Sequence, residues 1–260
     1  GGIVAILEAL RVLKENNDSY SDIEVVFTIA EEGGLYGAKA LDISSLRAKS
    51  AFVFDSIGDV GTMIMKAPAQ DEIKITVKGK ASHAGVAPEE GINAIYAASL
   101  AIAQLTVGRI DSETTTNIGI INGGKATNVV PDHVEIYGET RSLKEGKVDK
   151  ETQKIAAAFK KTAVRTGVKV NFDFERAYSA FEIKEEEFVA KQALKAIENI
   201  NLKPSLVAMG GGSDANILNA NGIPCINLGM GANNIHTTEE EISISNLEKT
   251  ALLCYNLMII

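Results

Sequence analysis

DEIKITVKGK, residues 71 to 80, alternates apolar and polar side chains with a period of two. That alternation is the mark of a half-buried antiparallel strand. Two runs ahead of it read differently. IEVVFTI (23–29) and AFVFD (51–55) are continuously apolar and rich in β-branched or aromatic residues, with a short helix near 35–41 between them. Runs apolar on both faces and alternating with helices predict a parallel sheet covered on both sides. The texture therefore changes at Ala67. Beyond residue 80 the sequence predicts a helix over about 91–106, strands over 115–122 and 133–142, a charged helix over 148–166 and a further alternating strand, VKVNFDFER (168–176). The order is β-α-β-β-α-β, a ferredoxin-like split unit. From about residue 180 the first texture returns: a helix over 185–199, the strand SLVAM, the loop GGGSDAN, the strand IPCINLG and a last helix from about 243. The expected fold is an α/β sheet domain covered by helices (1–66 plus 178–260), interrupted by an inserted ferredoxin-like α+β domain (67–177).

The bulk composition narrows the function. The chain has 260 residues, 45% of them hydrophobic, enough for a large core and two domains. Its formal net charge is -8 with no basic block, which argues against nucleic acid or an anionic membrane surface as partner. No apolar stretch reaches the roughly 18 residues of a membrane-spanning helix. The two cysteines, Cys225 and Cys254, sit in apolar segments and read as buried thiols in a reducing, cytoplasmic setting. The chain opens on GGIVAILEAL, where Ile3, Val4, Ile6, Leu7, Leu10 and Leu13 recur at helical spacing with no cap residue ahead of them. It is read as a fragment that begins inside a helix.

Ligands of open α/β sheets bind at the carboxyl ends of the strands. Glu31 and Glu32 end one predicted strand, Asp55 ends the next, GGGSD (210–214) ends a third, and a Gly- and Asn-rich loop after the fourth carries His236. Adjacent carboxylates repel and each resists leaving water, so a pair of them facing a cleft calls for a cation. Singly, each has a plain reading: Asp55 as a helix cap, Glu32 as a solvated turn residue, His236 as a surface histidine. Two or three carboxylates with one imidazole at the same sheet edge instead form a donor set suited to zinc, manganese or cobalt. A nucleotide reading fails. GIINGGKAT (119–127) has Ala126 where a phosphate loop needs Ser or Thr and runs on to a strand, and MGGGSDANIL lacks the dinucleotide glycine spacing. His83, in KASHAGVAPEEGINAI, and Arg141, in YGETRS, taken alone read as a capping histidine and an ion-pair partner.

Six blocks, IAEEGGLYGA, FVFDS, GKASHAGVAPEEGINAI, GGKATNVVPDHVEIYGETRS, GGGSDAN and GANNIHTTEE, run in order over nearly the whole chain. Together they resemble the M20 metallopeptidases, most closely the peptidase T-like tripeptidase branch. The resemblance implies that Glu31 is the general base taking a proton from the attacking water. It implies that Glu32 and His236 are ligands of one zinc ion and Asp55 of a second, with manganese or cobalt as the alternative metals. His83, Asn128 and Arg141 match residues of the lid domain that steady the oxyanion or bind the peptide's backbone or carboxylate. His83 matches the histidine that, in dimers of the family, reaches the partner's active site. Gly211, Ser213 and Asp214 match the loop near the substrate. Residues 67–177 match the family's lid and dimerisation domain, so a homodimer is expected.

The family also uses a His-x-Asp and a bridging aspartate upstream of the GG helix, and none of the three is in this sequence. The expectation is a dizinc hydrolase of short peptides, an aminopeptidase of the tripeptidase type, with the 260-residue chain itself metal-poor and inactive. Two other readings stay open: an M20 amidohydrolase or carboxypeptidase acting on N-acyl amino acids, and a non-catalytic protein that keeps the fold for binding or dimerisation.

Overall fold

The computed structural model describes residues 1–20 and 22–259. Its helices and strands follow in the order α1 (Gly2–Asn16), α2 (Tyr36–Ala40), β1 (Ala51–Ser56), β2 (Thr62–Ala67), β3 (Ala69–Lys78), α3 (Ala94–Ile102), β4 (Gly108–Arg109), β5 (Thr114–Gly123), β6 (His133–Ser142), α4 (Glu145–Thr166), β7 (Lys169–Tyr178), β8 (Phe181–Glu182), α5 (Phe188–Asn199), β9 (Ser205–Ala208), α6 (Asp214–Ala220), β10 (Cys225–Gly229), β11 (Ala232–Asn233), β12 (Glu241–Ile242) and α7 (Ile244–Met258). They fall into two units, Gly1–Ala67 with Phe181–Ile260, and Pro68–Ala180. The second seam lies about three residues beyond the one expected at 177/178. The reason is that β7 continues through Ala177 and Tyr178, both buried.

The 68–180 unit is one antiparallel sheet in the order β4-β5-β6-β3-β7. Strand β3 buries Ile73, Ile75 and Val77, as the alternation in 71–80 requires, and β6 adds Val134 and Ile136. Against that face lie the alanines of α3, whose small side chains let the helix approach closely, and Ile155 and Phe159 of α4. Full burial of a side chain such as Phe159 contributes about 1.5–3 kcal/mol. Asn93 caps α3 by accepting the Tyr96 N–H at 2.8 Å, and Gly167 ends α4 in the left-handed region. The carboxylate of Asp71 is fully buried on the helix face, where it accepts from Arg176 Nε at 2.6 Å and Thr152 Oγ1 at 2.7 Å. A buried charge needs such partners.

The other unit holds a five-stranded sheet, β1-β10-β2-β8 with β9 also on β2. Here the structure corrects the sequence reading twice. First, the sheet is mixed: β1–β10 and β2–β9 are parallel, whereas β10–β2 and β2–β8 are antiparallel. The antiparallel pairs come from β2, TMIMKA, at the seam, a segment whose sequence predicts no strand. Second, IEVVFTI (23–29) is not a strand. It joins no ladder among the described residues, and Val25, Val26, Phe27 and Ile29 are between 38% and 77% exposed. Strand propensity needs a partner to become a strand.

The core of this unit gathers Met63, Ile64, Ile226 and Leu228 from the sheet with Ala193, Ile197 and Leu253 from α5 and α7. Helix α1 packs on α7 through Ala5 and Ala9 against Cys254, while Ile3, Val4 and Leu7 are each more than half exposed. Both cysteines are free and buried. No described helix is long and apolar enough to cross a membrane.

Candidate metal centre and active site

Glu31 and Glu32 sit in a turn whose backbone is held against its own preferences. Ala30 (φ 54°) and Leu35 (φ 60°) occupy the left-handed region on either side of the pair. That region is costly for residues bearing a Cβ and persists where the surroundings over-determine it. The restraints are visible. Leu35 is buried, its N–H and that of Gly34 donate to the Glu31 carbonyl at 2.9 and 3.0 Å, and Gly37 N–H donates to the Ile29 carbonyl at 2.9 Å. A Cβ on Gly37 would lie 2.5 Å from both the backbone N and O of Ile29, so only glycine permits this crossing.

Asp55 lies near the end of β1, where the β1–β10 register shifts between Val53 and Ser56. Buried Asn227 of β10 accepts from the Asp55 N–H at 3.2 Å and bridges that irregularity. His236 also adopts a left-handed conformation (φ 61°), and its Nδ1 lies 3.1 Å from Glu32 Oε1. Its loop is anchored where Asn246 Nδ2 donates to the Gly231 carbonyl at 2.9 Å; a Cβ on Gly231 would meet that amide at 2.2 Å.

The acids strain one another. Burial, then the charges of Asp55, Glu32 and Asp214, push the Glu31 carboxyl up to about 7, with His236 opposing. Burial, then Glu32 and Asp214, push Asp55 up to about 6. Carboxyls raised by shared negative charge mark a place where a cation would be stabilised. The donor types, two carboxylates and an imidazole, fit zinc, manganese or cobalt. The donors come as the Glu32–His236 pair and a separate Asp55: among the described residues no group of three His, Cys, Asp or Glu side chains stands ready to hold one ion.

The GGGSD loop divides in two. A Cβ on Gly210 or Gly211 would meet nothing within 4 Å, so that stretch of backbone is open. Ser213 is buried and caps α6, its hydroxyl and the Asn216 side chain forming a reciprocal capping box. Asp214 is only 8% exposed; its Oδ2 accepts from Thr28 Oγ1 at 2.5 Å, and its Oδ1 is buried with no hydrogen-bond partner.

The remaining predicted residues belong to the 68–180 unit. His83 Nδ1 accepts from the Gly85 N–H at 3.2 Å, which leaves the proton of the neutral ring on Nε2 as an outward donor. The Asn128 loop is knitted to the His83 loop: Ala84 N–H donates to the Asn128 carbonyl and Val130 N–H to the Ser82 carbonyl, both at 2.9 Å. Arg141 of β6 donates from Nε and Nη2 to the two oxygens of Glu139, each at 2.9 Å, and Gln70 Nε2 donates to the same carboxylate at 3.0 Å. Glu139 thus occupies one edge of the guanidinium and leaves Nη1 outside that pair.

Thr28, Asn227 and Glu139 escape sequence reading. Each acts by hydrogen bonding a residue far away in the chain or two positions along a strand, and a lone Thr, Asn or Glu carries no local signature of that. Glu139 alone offers a hint, since an i,i+2 Glu and Arg on a strand share a face.

The M20 model described as a peptidase dimerisation domain matches residues 71–167, and the model of peptidase family M28 matches residues 1–105. The uncharacterized protein YqjE of Bacillus subtilis (strain 168) is 44% identical over 250 residues, which are 96% of this chain and 67% of that protein. The aminopeptidase PepT structure from Bacillus cereus superposes with a TM-score of 0.91 at 44% identity, covering 99% of this chain and 69% of that one. A tripeptidase structure from Staphylococcus aureus gives 0.94 at 37% identity, covering 98% and 68%. Against peptidase T of Fusobacterium nucleatum, 27% identical, the chain spans 60% of the relative's length.

Proposed function

The chain belongs to the M20 metallopeptidases, in their peptidase T-like branch, and on that premise we propose that its activity is the metal-dependent removal of N-terminal residues from tripeptides. The observation that carries the reading is the Glu32–His236 contact, 3.1 Å long, beside a half-buried Glu31 on a strained turn. Glu32 and His236 would hold one ion and Asp55 a second, zinc being the reading of the donor set. Two bound zinc ions would polarise the scissile carbonyl and acidify the attacking water.

Glu31 does the proton work. A half-buried carboxylate beside the proposed metal donors is placed to act as a general base. It takes the proton from the attacking water and delivers it to the departing amine. The Nε2–H of His83 and the side chain of Asn128 are donors for developing negative charge, and the open edge of Arg141 suits the peptide's terminal carboxylate. Residues 67–177 would join two copies, as the dimerisation-domain match suggests. With only a donor pair and a single acid among the described residues, the chain by itself should hold metal weakly.

The test is hydrolysis by the purified chain, dialysed against zinc, of free-amine tripeptides and of N-acetyl amino acids. Tripeptide cleavage far below the ~10 s⁻¹ typical of enzymes, down to none, is expected, with any residual cleavage sensitive to chelator. Preference for N-acyl substrates, or hydrolysis indifferent to chelator, would overturn the substrate reading. A normal turnover rate would overturn the incomplete metal shell.

A further inference from the structure

The segment that delivers Glu31 and Glu32 has no ladder to position it. Residues 22–28 carry neither strand nor helix, yet the turn that follows is held in a costly conformation. Something other than sheet pairing must set where that turn stands. Two side-chain tethers do so. At the far end Glu24 Oε2 accepts the N–H groups of Arg47 and Ala48 at 2.8 and 2.7 Å. At the near end, three residues before Glu31, Thr28 donates to Asp214.

Asp214 is a firm anchor. It opens α6, whose Asn219 bonds both the N–H and the carbonyl of Cys225 in β10, at 3.0 and 2.8 Å. It is buried, and its second oxygen is enclosed without a hydrogen-bond partner. A carboxyl group kept at such depth with one oxygen unpartnered is costly and calls for a purpose.

We propose that Asp214 is a positioning residue that, through Thr28, fixes the turn presenting Glu31 and Glu32. The importance of that turn rests on the proposed metal-dependent function; the tether itself does not.

The experiment is hydrogen exchange by mass spectrometry on the full chain and its T28V, T28S, D214A and D214N variants, with a cobalt titration followed by visible absorption. Exchange over 23–37 should accelerate by about tenfold to a hundredfold in T28V and D214A, the range that losing a hydrogen bond to a carboxylate gives. T28S keeps the donor and D214N keeps an acceptor, so both should stay near the parent. Peptides of the 68–180 unit serve as the unchanged reference. Cobalt affinity should fall in T28V and D214A and recover in T28S. Unchanged exchange over 23–37 in T28V would overturn the proposal. So would acceleration spread through all of 1–67 and 181–259, which would make Asp214 a general fold residue. Faster local exchange with unaltered cobalt affinity would sever the tether from the site. If the parent binds no cobalt, the metal-dependent function fails, and the exchange pattern decides the tether by itself.

Discussion

The 68–180 unit and the remainder of the chain bury their hydrophobic residues by different means. In the first, β3 pairs along its length with β6 on one side and β7 on the other, and two helices close one face. Its buried charge, Asp71, is paired by Arg176 and Thr152. In the second, the sheet mixes parallel and antiparallel pairs, 23–29 joins no ladder among the described residues, and apolar side chains of α1 face outward. The left-handed Ala30, Leu35 and His236, the raised Glu31 and Asp55, and the buried unpartnered oxygen of Asp214 are all there. Buried hydroxyls without partners occur in the first unit too, at Ser82, Thr116 and Thr140, so what sets the second apart is its left-handed turns and its raised acids.

The largest effect expected from disturbing this contrast is Phe159→Ala, which should remove about 3–5 kcal/mol from the 68–180 unit. Urea unfolding followed by exchange in β3 would report it, with 23–37 exchanging as before. A loss shared equally by both units would make them one cooperative body. Next comes metal. Zinc at a hundred times its dissociation constant should stabilise its unit by about 2.7 kcal/mol. Calorimetry should show the transition of 1–67 with 181–259 moving upward while that of 68–180 stays.

Smaller still is Ala30→Gly. It relieves a left-handed residue and should add up to about 1 kcal/mol to stability. Zinc affinity should fall at the same time, because the turn is freer; a variant more stable and equally tight would mean the strain has no bearing on the site. The smallest effect is that of pH on the metal-free protein. Folded Glu31 and Asp55 keep their protons to about 7 and about 6, above their ordinary values. Between pH 4 and 7 the folded state therefore binds more protons than the unfolded one, and stability falls as pH rises. Both groups are partly solvated, so the slope is shallow. Denaturant unfolding against pH should show it, and Glu31→Gln should flatten its upper part.

The legible part of this molecule was the part whose signals are local. Alternation in 71–80 and 168–176 announces strands, and α4 announces itself by charge and period, so the inserted unit could be laid out from sequence. The sheet of the other unit could not. TMIMKA is too short and too uniformly apolar to tell from a core segment, and IEVVFTI has every mark of a strand except a partner. In α1 the helical spacing picks out Ile3, Val4 and Leu7, yet Ala5 and Ala9 are the residues that pack on Cys254 of α7. The acids and His236 stood out because charge at a predicted strand end needs explaining. Thr28 and Asn227 did not, since a hydrogen bond to a residue nearly two hundred positions away leaves no trace in either neighbourhood.

We propose a division of labour between two adjacent glutamates, Glu32 holding metal with His236 and Glu31 moving protons. The most direct test is equilibrium dialysis against zinc, with metal quantified by plasma mass spectrometry, for the parent chain and for E31Q, E32Q and H236A. E31Q should retain the parent's zinc, while E32Q and H236A should each lose most of it. Zinc lost equally from E31Q, or kept in H236A, would contradict it.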